Sequence, residues 1–364
     1  MTVVRMISAV CLATLLLQLV PDALGDTARE WRFRAEDGGN TLVLHEVPMP
    51  SAAAGEIVIR VRAASLNRRD IYVKNNAYGP GANADGLVPL SDGAGEVVDV
   101  GPGVSRFAVG DRVAGTFFRG WVDGDASSDT LTTARGGGSP GMLAEYVVSD
   151  AADLVAVPDH LSWEEAATLP CAGVTAWVGL FRRGGLAAGD WVLLEGTGGV
   201  STFGLLFAVA AGAKPFVTSS SDGKLATARR LGAAGTANYR ENADWQRAVL
   251  EATDGAGADQ VLEVGGKDTL PKAIEALAFG GHIAIIGGLS GFVQDIPAGP
   301  LMMKNGSVSG IYVGSRADFE AMNAFIAEHR IHPVIDRVFE FEDAPLAFDY
   351  MVNGDFMGKI VIRM

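Results

Sequence analysis

Residues 191–204, WVLLEGTGGVSTFG, decide the fold. Residues 191–195 form a short apolar run of strand type, residues 196–199 a glycine-rich turn, and residues 200–211 an apolar run of helical length. Gly196 and Gly198 allow a tight turn and a close backbone approach to a pyrophosphate. The helix opening near Gly199 aims unpaired N–H groups and its positive dipole end at the anion. Residues 214–219 read as the next strand, so the turn sits in the strand–turn–helix–strand context in which such a turn binds a dinucleotide. Ser201 stands where a third glycine would permit the closest helix-to-strand approach. It is expected to loosen that packing and leave the phosphate turn intact.

In such a unit an acidic residue about 20 positions on binds the ribose hydroxyls. Ser219 takes that place here, followed by Ser220 and Ser221, with Lys224 one turn into the next helix. A carboxylate would repel a 2′-phosphate, whereas hydroxyls and an ammonium group bind one, so the pattern predicts NADP(H) over NAD(H). The alternative is a plain turn in which Asp222 caps the helix.

At 364 residues the chain has room for two domains, and 48% apolar with 20% charged residues predicts a folded protein. A net charge of -14 argues against a nucleic-acid groove or an anionic membrane as the main partner. Two cysteines, Cys11 and Cys171, exclude a disulfide framework and a four-cysteine zinc site. None of His45, His160, His282, His329 and His332 falls in a metal-ligand spacing. In segment 1–25, Arg5, an apolar stretch over 6–20 and the small-residue pattern Ala23-Leu24-Gly25 resemble a secretory signal peptide; the alternative is an N-terminal extension. The need to regenerate NADPH favours a cytoplasmic location, and the leader-like segment makes an extracytoplasmic one the alternative.

Short strands at 56–63, 95–100, 111–114 and 144–148, broken by Gly, Pro and Asp clusters, predict a compact β domain. Segment 120–141, rich in Gly, Ser, Asp and Thr, reads as a long surface loop. Ser162 and Glu165 have capping-box spacing and predict a helix start. From 173 to 316, strands at 236–239, 260–264, 282–287 and 309–313 alternate with helices at 244–253 and 271–278. This predicts an α/β architecture with a doubly wound parallel sheet. The tail holds a helix at 319–329 and a final strand at 359–363.

These motifs resemble the medium-chain dehydrogenase/reductase superfamily, and within it the zinc-independent, quinone-reductase-like branch. The carriers are AASLNRRD (63–70), PLSDGAGEVVDVG (89–101), GDRV (110–113), LPCAGVTAW (169–177), GDWVLLEGTGGVS (189–201), ANYR (237–240) and GKIVI (358–362). The resemblance covers about 28–364. It implies a GroES-like catalytic domain over 26–172, a Rossmann cofactor domain over 173–316, and a return of 317–364 to the catalytic domain. It also implies a homodimer built by pairing edge strands near Ile311. Carried over residue by residue, it places Thr175 at the nicotinamide, Thr197, Gly198, Gly199, Val200 and Ser201 at the pyrophosphate, and Tyr239 at the adenosine end. It lines the nicotinamide pocket with Gly265, Gly287, Gly288 and Leu289, and brings Lys359 to the cofactor phosphates.

Zinc-dependent relatives in that superfamily hold the metal with a Cys, a His beside a Glu, and a second Cys. Those positions are Asn67, Ser91-Asp92 and Cys171 here, and one soft ligand does not make a zinc site, so no metal is expected. Cys171 then reads as a small buried core residue. Without a Lewis acid, hydride transfer to a quinone or an α,β-unsaturated carbonyl is favoured, because conjugation spreads the incoming charge. Asn67 is either an amide donor to the oxyanion or a turn-bracing residue, and Tyr78 either donates a proton or shapes an aromatic slot. Asp70 and Asp92 are expected to brace loops. The alternatives are an alcohol dehydrogenase or ketone reductase of the same superfamily, an enoyl reductase taking a bulky or carrier-bound substrate, and an NADP(H)-binding protein with little turnover.

Overall fold

A computed structural model describes residues 26–79, 84–292 and 295–364, so the leader-like segment 1–25 lies outside the described residues. The first strands, β1 (Thr27–Glu36) and β2 (Gly39–Pro48), form an antiparallel hairpin closed by Asp37-Gly38. An Asp-Gly pair suits a two-residue hairpin turn, and Gly38 takes the positive φ of +94° that this requires.

The strands β3 (Glu56–Leu66), β4 (Asp92–Val100), β5 (Arg112–Gly115), β6 (Tyr146–Asp150) and β7 (Leu154–Ala156) belong to a seven-stranded mixed sheet. A six-stranded parallel sheet follows, built of β8 (Trp191–Glu195), β9 (Lys214–Ser219), β10 (Gly235–Asn238), β11 (Ala258–Glu263), β12 (Leu277–Ile285) and β13 (Ser307–Gly310). The last strands, β14 (Ile335–Glu340) and β15 (Lys359–Arg363), rejoin the mixed sheet, where β15 pairs antiparallel with β3. The fold is therefore α/β, a GroES-like sheet joined to a Rossmann sheet.

The parallel order is β10-β9-β8-β11-β12-β13. The order in which strands are added reverses between β8 and β11, and at such a switch point the carboxyl ends of the strands leave a crevice for a ligand. The helix Gly199–Ala210 lies directly on this place. A Cβ added at Gly204 would stand 2.7 Å from Leu262 and 2.8 Å from Leu194. Ser201 does not loosen the junction: it is buried, and its hydroxyl donates to Glu195 O at 2.7 Å, tying helix to strand.

The two sheets meet at the phosphate turn. Gly358 N–H donates to Thr197 O at 2.9 Å, and Gly198 and Gly358 form a parallel bridge. Gly358 has φ +82°, and a Cβ there would sit 2.2 Å from Val334 O, so only glycine permits this approach.

Three expectations change. The Ser162–Glu165 capping box forms, but the four-residue helix Trp163–Ala166 passes into π-turns at Leu169–Gly173 and Val178–Arg183 rather than a regular helix. Segment 120–141 is not wholly a surface loop. Arg135 is fully buried, donating to Thr116 O at 3.0 Å and Ser149 Oγ at 2.6 Å, which anchors the segment against the mixed sheet. The strand expected through Val313 ends at Gly310, level with the end of its partner β12 at Ile285, and Val313 beyond it adopts φ +59°.

Candidate active site

Strand β8 delivers its carboxyl end into the glycine turn. Gly196 has φ +72°, and Gly196 and Gly198 both have open space where a Cβ would stand, so a pyrophosphate can approach the backbone. Beside the turn lies a cleft of about 410 Å³ lined by Glu195, Gly196, Thr218, Tyr239, Gly265 and Leu289, among others. The residues present fit a dinucleotide. Thr175 is buried on the short helix Val174–Trp177, below the turn. Ser219, at the end of β9, is buried and accepts from Ser221 N–H at 3.3 Å, with Ser220 between them. Lys224 is not free: its ammonium pairs with the exposed Asp355 carboxylate. Gly287 and Gly288 follow β12 and pack against the Val264 backbone and Phe292.

The switch point also holds two carboxyl groups that sequence reasoning missed. Glu195 ends β8 and Glu263 ends β11, both are buried, and they face each other. Glu263 Oε1 accepts from Gly266 N–H at 2.7 Å and Thr269 Oγ at 2.6 Å. Glu195 Oε1 and Glu263 Oε2 have no donor among the described residues. Burial, then the neighbouring Glu263 charge, holds the Glu195 carboxyl well above the usual range. A proton shared between the facing oxygens satisfies both.

On the mixed-sheet side of the phosphate turn, the residues around Asn67 converge on one ammonium group. Lys359, at the start of β15, is 2% exposed, and its Nζ donates to Asn67 Oδ1 at 2.5 Å and Leu66 O at 2.8 Å, with Asp92 Oδ2 at 3.5 Å. Ser91 Oγ donates to the other oxygen of Asp92 at 2.7 Å. The stem of Lys359 lies against the phosphate turn, since a Cβ at Gly199 would stand 2.7 Å from its Cδ. Its head therefore points away from the turn and into the Asn67 cluster.

Asn67 also caps the helix Arg68–Lys74, where its backbone N–H donates to Asp70 Oδ2 at 2.7 Å. Burial pushes the Asp70 carboxyl up to about 6 in spite of the Arg69 guanidinium beside it. Cys171 is partly exposed on this side and packs against the core rather than lying fully within it. Loss of solvation, with Asp92 nearby, pushes its thiol well above the usual range.

A zinc ion does not fit this donor set. Thiolate, imidazole and carboxylate are the donors zinc takes, whereas here an asparagine and a serine stand in the cluster, the Asp92 carboxylate is engaged by the Lys359 ammonium and the Ser91 hydroxyl, and burial disfavours the Cys171 thiolate. Among the described residues, no group of three or more His, Cys, Asp or Glu side chains could hold a metal ion.

Next to the Asn67 cluster is an aromatic slot. Tyr78 lies with its ring 4.5 Å from the Arg69 guanidinium, which also stacks on Phe117 at 4.9 Å. Its hydroxyl meets the Tyr312 hydroxyl at 2.6 Å. Burial holds the Tyr78 phenol far above its ordinary range, with Arg69 opposing. Tyr312 and Arg69 gave no signal in the sequence, because their meeting depends on the parallel sheet being set against the helix Arg68–Lys74.

The regions beyond these side chains are similar to known proteins. The family described as alcohol dehydrogenase GroES-like domain matches residues 53–159, and the one described as zinc-binding dehydrogenase matches 199–328. A zinc-type alcohol dehydrogenase-like protein of Schizosaccharomyces pombe is 42% identical over 326 residues, 88% of this chain and 94% of that one. The chain is a medium-chain dehydrogenase/reductase. A putative alcohol dehydrogenase from Sinorhizobium meliloti 1021 superposes on this oxidoreductase with TM-score 0.89 at 41% identity, covering 94% of this chain and all of that one. A 2-octenoyl-CoA carboxylase reductase, solved with NADP and 2-octenoyl-CoA, superposes with TM-score 0.78 at 28% identity, covering 94% and 88%. No helix among the described residues of this medium-chain dehydrogenase/reductase is long and apolar enough to cross a membrane.

Proposed function

We propose that this chain is an NADPH-dependent, metal-free reductase of quinones or α,β-unsaturated carbonyls. The observation that carries the reading is the Lys359 ammonium, which sits among Asn67, Leu66 O and Asp92 where zinc-dependent relatives place a metal. Bound nicotinamide supplies the hydride. The chain's own residues do the rest. The glycine turn and helix Gly199–Ala210 bind the pyrophosphate, and Ser219, Ser220 and Lys224 receive a 2′-phosphate. Lys359 holds Asn67 by its amide oxygen, which leaves the Nδ2 hydrogens to donate to an oxyanion; their contact with Ser91 Oγ is long, at 3.5 Å. Tyr78, on its arginine bed, supplies a phenol at the slot.

We take residues 173–316 as the cofactor unit and 26–172 with 317–364 as the catalytic unit. Edge strand β13 is hydrogen-bonded on one side only, and Phe279, Met302 and Met303 are exposed nearby, which supports a homodimer through this edge. Sedimentation equilibrium tests the dimer.

Steady-state assays with cyclohexenone, benzoquinone and a simple alcohol, with and without chelator, test the reaction. The expected result is NADPH oxidation by the first two, unchanged by chelator. Chelator-sensitive alcohol oxidation would overturn it and favour the alcohol dehydrogenase reading, which the names of the most similar relatives support. NADPH binding without turnover of any acceptor would indicate a binding protein.

A further inference from the structure

We infer that Tyr312 is a substrate-contacting proton donor of this enzyme, contributed by the cofactor-binding sheet and recharged by Tyr78 across their shared hydrogen bond. The inference rests on the enone and quinone reading above.

Tyr312 lies just beyond β13, at the carboxyl edge of the parallel sheet, where ligands of such sheets bind. Its ring stands edge-on to Phe118 at 4.9 Å and to Phe117 at 6.0 Å, so two aromatic neighbours fix its direction. The next residue, Val313, has φ +59°, a conformation that a β-branched residue rarely adopts. Such strain persists only where the surroundings enforce it, and it recurs at functional sites. Tyr312 lies between the end of β13 at Gly310 and this turn, with its hydroxyl on that of Tyr78. Tyr312 nevertheless remains 41% exposed, unlike the phenylalanines that hold it.

The hydroxyl pair has an uneven proton inventory. Two phenols carry two protons, and their 2.6 Å bond uses one. Neither hydroxyl has another hydrogen-bond partner among the described residues. When Tyr78 donates to Tyr312, the second O–H belongs to the more exposed ring. Arg69 lies under the Tyr78 ring at 4.5 Å, which fixes the Tyr78 side of the pair.

For an enone the step balances as follows. Hydride supplied by bound nicotinamide would add to the β-carbon, the C=C pair would become the double bond between the α-carbon and the carbonyl carbon, the C=O π pair would move onto oxygen, and the Tyr312 proton would pass to that oxygen to give the enol. Tyr78 returns a proton to Tyr312 and is itself reprotonated from solvent, and the enol tautomerises in water. The cofactor is oxidised by two electrons and the acceptor reduced by two.

Tyr312→Phe keeps the ring on Phe117 and Phe118 and removes the hydroxyl. The expected result is a loss of about 100-fold or more in kcat/KM for cyclohexenone, with NADPH affinity unchanged. Tyr78→Phe is expected to lower kcat/KM as well, and the double variant to be no worse than Tyr312→Phe by more than about threefold, as for two members of one relay. In the complex of wild type with NADP+ and carbonyl-labelled cyclohexenone, infrared difference spectra should show a lowered carbonyl stretch that Tyr312→Phe loses. A Tyr312→Phe loss under about tenfold, losses that simply multiply, or a carbonyl stretch unmoved by the variant would overturn the assignment. Failure of the wild type to reduce any enone or quinone would instead overturn the reaction reading.

Discussion

Lys359 Nζ donates to Asn67 Oδ1 across 2.5 Å while its aliphatic stem packs on Gly199 of the phosphate turn. One side chain thus spans from the dinucleotide turn to the amide placed to meet an oxyanion. Lys359→Met keeps the stem and removes the charge, which frees the Asn67 amide to rotate and leaves Asp92 buried without its cation. Turnover should fall about 10- to 100-fold, because misplacing a donor by an ångström costs that much, while the NADPH Kd stays near wild type. Fluorescence titration beside steady-state kinetics separates the outcomes. Weakened NADPH binding at unchanged kcat would place Lys359 on the cofactor phosphates instead.

In the proposed NADPH reading, Asp355 competes with a 2′-phosphate for the Lys224 ammonium. An ion pair with so exposed a partner is worth little, so exchange for a phosphate is favourable. Lys224→Ala should raise the NADPH Kd about tenfold or more and leave the NADH Kd unchanged. Asp355→Ala should tighten NADPH binding. Calorimetric titration of both variants checks the pair, and equal affinity for the two cofactors in wild type would contradict the 2′-phosphate assignment.

Asp70 makes stability fall with rising pH. Its carboxyl is raised from 3.8 to about 6, so above the unfolded value the folded state holds the proton more tightly. The contribution is fully present below 3.8 and is lost as pH rises through about 6. Asp70→Asn retains an acceptor for Asn67 N–H and removes the titration. Whatever its constant offset, its stability relative to wild type should rise by about 2 kcal/mol between pH 4.5 and 7.5. Urea unfolding at several pH values measures the slope, and parallel curves would refute it.

Glu195 acts in the same sense. Its carboxyl is held well above the usual range by burial and by Glu263, so stability present in acid is lost as pH rises through the folded value. Glu195→Gln replaces the shared proton with an amide N–H that Glu263 Oε2 can accept. The wild-type Tm should therefore fall more steeply than that of Glu195→Gln as pH rises. Scanning calorimetry across a pH series decides it, and identical slopes would mean that the pair carries no shared proton.

Elements defined by local pattern were legible. Strands β8, β9 and β15 lie where periodicity placed them, and the capping box at Ser162 forms, because each depends on a few adjacent residues. The hairpin β1–β2, strand β14 and helix Ala344–Asn353 escaped that reading, although Asp37-Gly38 is a usable hairpin signal. Cys171 reads as core from its type alone, yet it stands partly exposed at the wall beside Lys359, because the π-turn Leu169–Gly173 presents it there.

By itself the sequence determined the α/β class and the dinucleotide turn, which rest on hydrophobic period and on glycines at fixed spacing, and its motifs from 63 to 362 carried the resemblance to the superfamily. Tertiary structure decided what surrounds the reacting atoms. Lys359 meets Asn67 across 292 positions, Tyr312 meets Tyr78 across 234, and Glu263 faces Glu195 through the strand order of the parallel sheet. No local pattern encodes such meetings. They follow from β15 closing on β3 and from the reversal of strand order at the switch point, which bring distant side chains to hydrogen-bonding range only once both sheets are packed.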